Sequence, residues 1–199
     1  MEINSVKERL IKASDEIIAN KDYLTDLDRS IGDADHGVNM AKGFTFTKEA
    51  LEDDFDDYKN LFNKVATTLL SKVGGASGPL YGSFFMKFAA SLKDVTDFNR
   101  DELNKAFAAG VEGVKQRGKA ELNDKTMVDV LEPVSKALNE GKSFDEVIKV
   151  AEESMNKTKD IKAKKGRASY VGERSIGHID PGAASSYILV KETLGGLDD

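Results

Sequence analysis

The sequence predicts an all-α protein, one domain over residues 1–199, built as a bundle or barrel of about eight antiparallel helices. Three observations carry this. Apolar residues recur at helical spacing along most of the chain, as in Val6, Leu10 and Ile17 or Leu61, Val65 and Leu69. Only three prolines, at 79, 133 and 181, interrupt the 199 residues. No two alternating runs read as a strand pair, and no internal repeat or low-complexity tract occurs. A composition of 40% hydrophobic and 32% charged residues suits one sizeable core.

The elements follow in order. Ser5-Val6-Lys7-Glu8 has the form of a capping box and opens a first helix that runs to about Ala19. Tyr23 to Leu27 reads as a short helical turn or a loop. A second helix starts near Gly37 and carries Met40, Phe44 and Leu51. The acidic run Glu52 to Asp57 is a solvated connection, since block charge marks an exposed face. Tyr58 to Leu70 is the third helix. Pro79, suited to a first helical position, opens the fourth with Ser77 or Gly78 as its cap. Asn99-Arg100-Asp101-Glu102 opens the fifth. The sixth begins near Asp124, and Pro133 must kink it or shift its start. Ser143 to Glu146 is another capping box, ahead of the seventh. Lys157 to Arg167, with five lysines and one arginine, reads as a mobile solvated linker in the absence of a ligand. The last helix follows Asp180-Pro181-Gly182.

A net charge of −6 and a pI near 5.1 argue against nucleic acid or an anionic membrane as the main partner. The absence of cysteine excludes disulfides and thiolate metal sites. No apolar run reaches spanning length, and Met1 to Leu10 lacks a signal-peptide core, so the expected location is the cytoplasm.

One stretch is chemically unusual. Asp28, Asp33 and Asp35 fall within eight residues, with Gly32, His36 and Gly37 interleaved. Like charges this close repel, and a hard divalent cation such as Mg²⁺ gives a reason to gather them. The helical pattern after Gly37 places the cluster at a helix N-terminus, which favours phosphate oxygens. The spacing is not that of a calcium loop. Read by itself, the cluster leaves two interpretations open, a Mg-phosphate site and an acidic loop that caps a helix. The small-residue loop Gly74-Gly75-Ala76-Ser77-Gly78 ahead of Pro79 is equally double: a phosphate cradle without the lysine of a Walker loop, or a plain helix connection.

Position in the fold adds weight. The unusual segments 28–39, 74–79, 117–127 and 166–182 all lie between helices. If helices alternate up and down, the connections after the first, third, fifth and seventh share one end of the bundle. A single composite site at that end is the expectation.

Taken together, these motifs resemble the nucleotide-binding L subunit of dihydroxyacetone kinase. The resemblance is carried by Leu27 to Met40, Gly74 to Gly82, Arg117-Gly118-Lys119-Ala120, Asp124-Lys125-Thr126-Met127, Gly166 to Tyr170 and Gly172 to Gly182, in family order. It implies a barrel of eight antiparallel helices with ADP or ATP and two Mg²⁺ at one end. Asp28, Asp33 and Asp35 would hold the ions and carry the catalytic role. His36, Gly37, Val38 and Asn39 would lie beside the phosphates, and Ala76 and Ser77 would donate to them. Gly118 and Met127 would border the adenine, and Arg167, Asp180, Pro181 and Gly182 would close the site. His36 is implied to be a nucleotide contact rather than a phosphorylated residue, and His178 to order its loop.

By the same resemblance, the ketone is held covalently by a separate K subunit. A stand-alone chain of this kind is similar to the phosphotransferase-system type, whose bound ADP stays as a coenzyme and is recharged by a phosphohistidine on an M subunit. Two alternatives remain. One is an ATP-exchanging kinase subunit for another small molecule, like the fatty-acid kinases. The other is an ADP-loaded binding protein that docks on a transcriptional regulator.

Overall fold

The computed structural model describes residues 1–197. Nine α-helices are found among them: α1 (Ile3–Ala19), α2 (Lys21–Arg29), α3 (His36–Ala50), α4 (Tyr58–Lys72), α5 (Ser77–Ser91), α6 (Arg100–Gly118), α7 (Val128–Asn139), α8 (Phe144–Lys157) and α9 (Pro181–Leu194). Short 3-10 segments follow α8 at Thr158–Asp160 and Arg167–Ser175, and no strand occurs among the described residues. Eight of the helices close a ring. α1 packs on α3, each helix from α3 to α9 packs on the next, and α9 returns to α1. Arg9 fastens the α1–α9 seam, its guanidinium donating to the carbonyls of Thr193, Gly195 and Gly196. α2 is an addition to the ring and lies on α3 and α9.

The core is the barrel interior. Val6, Leu10, Leu61, Val65, Leu69 and Ile188 turn inward at the spacing read from the sequence. An aromatic cluster fills one flank: Phe62 packs tilted against Phe88 with ring centroids 4.5 Å apart, and Phe84 meets Phe107 edge-on at 5.2 Å. Between these rings and Leu10, Phe44 and Leu189 an apolar cavity of about 90 Å³ remains.

Several sequence expectations change in detail. The turn at Tyr23 to Leu27 is a full helix, because Leu24 has a buried face to fill against α3 and α9. The first helix begins at Ile3, so Ser5 lies inside it and forms no capping box. Ala76, not Ser77 or Gly78, precedes α5. α7 starts at Val128 rather than near Asp124, which leaves Pro133 in its second turn. A capping box does form at Ser143 with Glu146, and Asp180 caps α9 ahead of Pro181. The acidic run at 52–57 is mostly exposed, with Asp53 paired to Lys64 and Asp57 capping α4.

Candidate functional site at one end of the barrel

The four connections singled out in the sequence meet at one pocket. Its wall includes Asp28, Asp33, Asp35 and His36 from before and into α3, and Ala76 and Ser77 at the start of α5. Thr126 and Met127 come from the start of α7, and Asp180, Pro181 and Gly182 from the start of α9. The ring topology is the cause: α3, α5, α7 and α9 all begin at this end. Four helix N-termini thus aim partial positive charge and open backbone N–H groups at one space. Such a space receives anions, and phosphate above all.

The carboxylates are held in place locally. Asp28, at the end of α2, is buried, and its Oδ2 accepts the backbone N–H groups of Asp35 at 2.9 Å and His36 at 3.1 Å. One side-chain oxygen therefore fixes the entry to α3, and Oδ1 is left for a ligand. Gly32 is required beside it, since a Cβ there would lie 2.0 Å from that Oδ1. Ligand oxygens of Asp28, Asp33 and Asp35 lie within 4.8 Å of one another. The Asp35 carboxyl is shifted upward in pKa, first by burial and then by the bond to Asp33 and the charges of Asp33 and Asp28, with Asn39 opposing. The cluster is therefore short of positive charge. Part of it comes from Arg167, whose Nε lies 2.9 Å from Asp33 Oδ2.

His36 is buried between two serines, with Nδ1 3.0 Å from Ser77 Oγ and Nε2 3.0 Å from Ser185 Oγ. Burial drives its pKa down to about 4, so the ring is neutral at physiological pH. The Tyr81 hydroxyl extends this chain to Ser185 at 2.7 Å and Ser186 at 2.9 Å. Asp180 is the opposite case: burial raises its carboxyl to about 7, against the help of the Ala183 N–H that it accepts at 2.8 Å.

Of the residues expected at the site, Asp28, Asp33, Asp35, His36, Ala76, Ser77, Met127, Arg167, Asp180, Pro181 and Gly182 line the pocket. Gly37, Val38, Asn39 and Gly118 do not. Gly37 is buried at the α2–α3 contact, where a Cβ would stand 2.0 Å from the Lys21 carbonyl. Val38 is 47% exposed. Asn39 acts through its bond to Asp35 and the close approach of Gly74. Gly118 ends α6 against Leu80, itself a wall residue. Leu80, Tyr81, Lys125 and Lys165 are wall residues that sequence reasoning missed. Lys125 stood within a quoted motif, but its burial was not legible there. Within the segment read as a solvated linker, Thr158–Asp160 forms a 3-10 turn and the Thr158 and Ile161 carbonyls accept from Lys125; His178 contributes its carbonyl, its side chain being exposed.

Fold and site together define an all-α barrel with an acidic, anion-receiving pocket at one mouth. Comparison with known proteins agrees. The DAK2 domain model matches residues 30–195. The chain is 49% identical to the ADP-binding subunit of a PEP-dependent dihydroxyacetone kinase from Listeria innocua, over 85% of this chain and 84% of that protein. It is 45% identical to the corresponding subunit of the PTS-dependent enzyme of Lactococcus lactis, over 96% of both. The E. coli K12 subunit is 42% identical over 92% of this chain and 91% of its own length. The chain therefore belongs to the DAK2 domain family, among the ADP-binding subunits of dihydroxyacetone kinases. The solved dihydroxyacetone kinase of C. freundii, in complex with AMP-PNP and Mg²⁺, shares the fold with a TM-score of 0.79 at 21% identity. The match covers 96% of this chain and 34% of that one.

Proposed function

We propose that this chain is the nucleotide-carrying, phosphoryl-transferring subunit of a dihydroxyacetone kinase, with Mg²⁺-bound ADP/ATP at the mouth of the barrel. The observation that carries the reading is the convergence of four helix N-termini and three carboxylates on one pocket. Neither feature makes sense alone. Helix N-termini attract phosphates, carboxylates repel them, and a divalent cation between the two reconciles both. The donor set fits Mg²⁺: all oxygen, crowded in charge, and with Asp28 fixed in place through its Oδ2.

In this reading Asp28, Asp33 and Asp35 hold the metal, two ions being the proposed count. The metal supplies neutralisation of the negative charge that builds on the phosphates during transfer. The protein's own part is positioning. Asp28 locks the start of α3, so its amides and the carboxylates keep one relative geometry. Ser77 is held by His36, which presents the α5 N-terminus to the terminal phosphates. The neutral His36 ring serves as a brace, with no role as a phosphorylated group. Met127 and Leu80 give the apolar wall for the base, and Arg167, Asp180, Pro181 and Gly182 close the C-terminal side.

The chain has no site of its own for the ketone in this scheme. A separate K subunit presents dihydroxyacetone, and a phosphohistidine on an M subunit recharges ADP in place. The names of the three relatives above, PEP- or PTS-dependent, support that donor over free ATP. Among the described residues no helix is long and apolar enough to cross a membrane. The direct experiment is reconstitution. With K and M subunits and a phosphoenolpyruvate-driven phosphoryl supply, stoichiometric Mg-ADP on this chain should suffice for dihydroxyacetone phosphate formation. Turnover that requires a continuing supply of free ATP, or occurs without K, would refute the scheme.

A further inference from the structure

The connection between α8 and α9 is closed at its neck by a single side chain. Lys125 is 1% exposed, and its Nζ donates to four main-chain carbonyls: Thr158 at 2.8 Å, Ile161 at 3.1 Å, Ser175 at 2.7 Å and His178 at 2.5 Å. An ammonium has three protons, so at least one is shared. Two of the acceptors lie on the outgoing leg of the connection and two on the returning leg. Gly177 N–H to the Lys159 carbonyl at 2.7 Å and Ala163 N–H to Ser175 Oγ at 2.9 Å complete the neck.

Local structure is bent to bring the ammonium there. Lys125 has φ +63°, in the left-handed region that a long side chain rarely enters. Asp129 stabilises that turn, its carboxylate accepting the N–H groups of Asn123 at 2.6 Å and Thr126 at 2.8 Å. Burying an ammonium is costly; among the described residues no carboxylate lies within ion-pair distance of it, the carbonyls bond it, and the charges of Asp180, Asp160 and Asp129 offset the burial from farther away. Plain loop closure needs no such device.

The loop held in this way has a place in the proposed site. Its residues Lys165, Gly166, Arg167 and Ala168 line the pocket, and Asp180 to Gly182 follow directly on its returning leg. None of the four acceptors lies within the span of a barrel helix. The pin thus acts on the loop and leaves the ring itself untouched.

We propose that Lys125 is a positioning residue for nucleotide retention, its ammonium fixing the neck of the 162–175 loop so that Arg167 and the start of α9 stay closed over the pocket. The proposal rests on the nucleotide reading above, and the test separates the two. Release of a fluorescently labelled ADP in Mg²⁺ is followed by stopped flow. Lys125→Met should release it about tenfold or more faster, the loss expected for charge-assisted bonds, with unchanged helicity. In Lys125→Ala, propylammonium should slow release again and propanol should not, a signature that a mere packing role would not give. Limited proteolysis without nucleotide should cut within 162–175 faster in Lys125→Met than in the wild type. Wild-type release rates, equal rescue by propanol, or an unchanged cleavage rate would each overturn the pin. Failure of the wild type to bind labelled ADP counts against the nucleotide reading instead, and the cleavage rate still decides the pin. Ser175→Ala loosens the same neck from the loop side. Should the Lys125 variants not fold, faster release from Ser175→Ala supports the pin and wild-type release refutes it.

Discussion

Gly37→Ala is the substitution that most directly tests how the barrel builds its site. The glycine is in the first turn of α3, and a Cβ there would lie 2.0 Å from the Lys21 carbonyl oxygen, 2.3 Å from Thr25 Oγ1 and 2.7 Å from the Thr25 nitrogen. Two of these three are backbone atoms, so no rotamer change relieves the clash. α2 must move away from α3 by about 1 Å to reach ordinary contact. The C-terminal end of α2 carries Asp28, whose bonds to Asp35 and His36 N–H are 2.9 and 3.1 Å long. Displaced by that amount, both pass beyond hydrogen-bonding range. Overpacking of this kind costs about 1–3 kcal/mol. For a chain of this size that is a fall in Tm of about 2–12 °C. Loss of the Asp28 anchor should also weaken Mg-ADP binding about tenfold or more. Differential scanning calorimetry and isothermal titration on the same preparation give both numbers. A variant with wild-type melting and wild-type affinity would refute the claim that this glycine sets the distance between α2 and α3.

Three further outcomes are expected. Asp33→Asn should weaken Mg-nucleotide binding by about a hundredfold, one of three carboxylates being lost, while far-UV circular dichroism stays unchanged; titration calorimetry checks it. Arg167→Ala should accelerate nucleotide release more than it lowers the Tm of the nucleotide-free protein, because its ion pair with Asp33 is largely solvent-exposed and contributes little to folding. Asp180 gives a pH signature. Its carboxyl is protonated in the fold up to about pH 7 and ionised in the unfolded chain above the ordinary carboxylate range, so folding takes up a proton between these limits and stability falls as pH rises through them. The buried neutral His36 acts with the opposite sign below its ordinary pKa, so the informative quantity is the difference between Asp180→Asn and wild type. Measured by denaturant unfolding without Mg²⁺ or nucleotide, the variant should gain stability relative to wild type from about pH 4 to 7 and level off above; a constant difference would contradict the assignment.

The sequence by itself determined the helices, their alternation and the cluster of acids. Those rest on short-range rules: apolar spacing, caps at Ser143 and Asp180, and like charge crowded into eight residues. The parity of the connections then placed four distant segments at one end, since an up-down ring allows no other arrangement. The same local rules read Tyr23 to Leu27 as a short helical turn or a loop, where the chain forms the nine-residue α2. The family resemblance, rather than these rules, set Gly37, Val38 and Gly118 beside the nucleotide; none of the three is a wall residue of the pocket, since a motif gives neighbours in sequence and not the direction in which each side chain points.

Only the tertiary structure decided which of two chemistries each residue serves. Gly37 is a spacer between helices, and Asn39 braces a carboxylate. His36 is neutral because burial, not its motif, sets its charge. Lys125 is the clearest instance. On the page it is one of 29 cations in a charged chain. Folded, it is an enclosed ammonium facing carbonyls 33 to 53 residues away in the chain. Burial and long-range hydrogen bonds are properties of the packed chain, and no local pattern carries them.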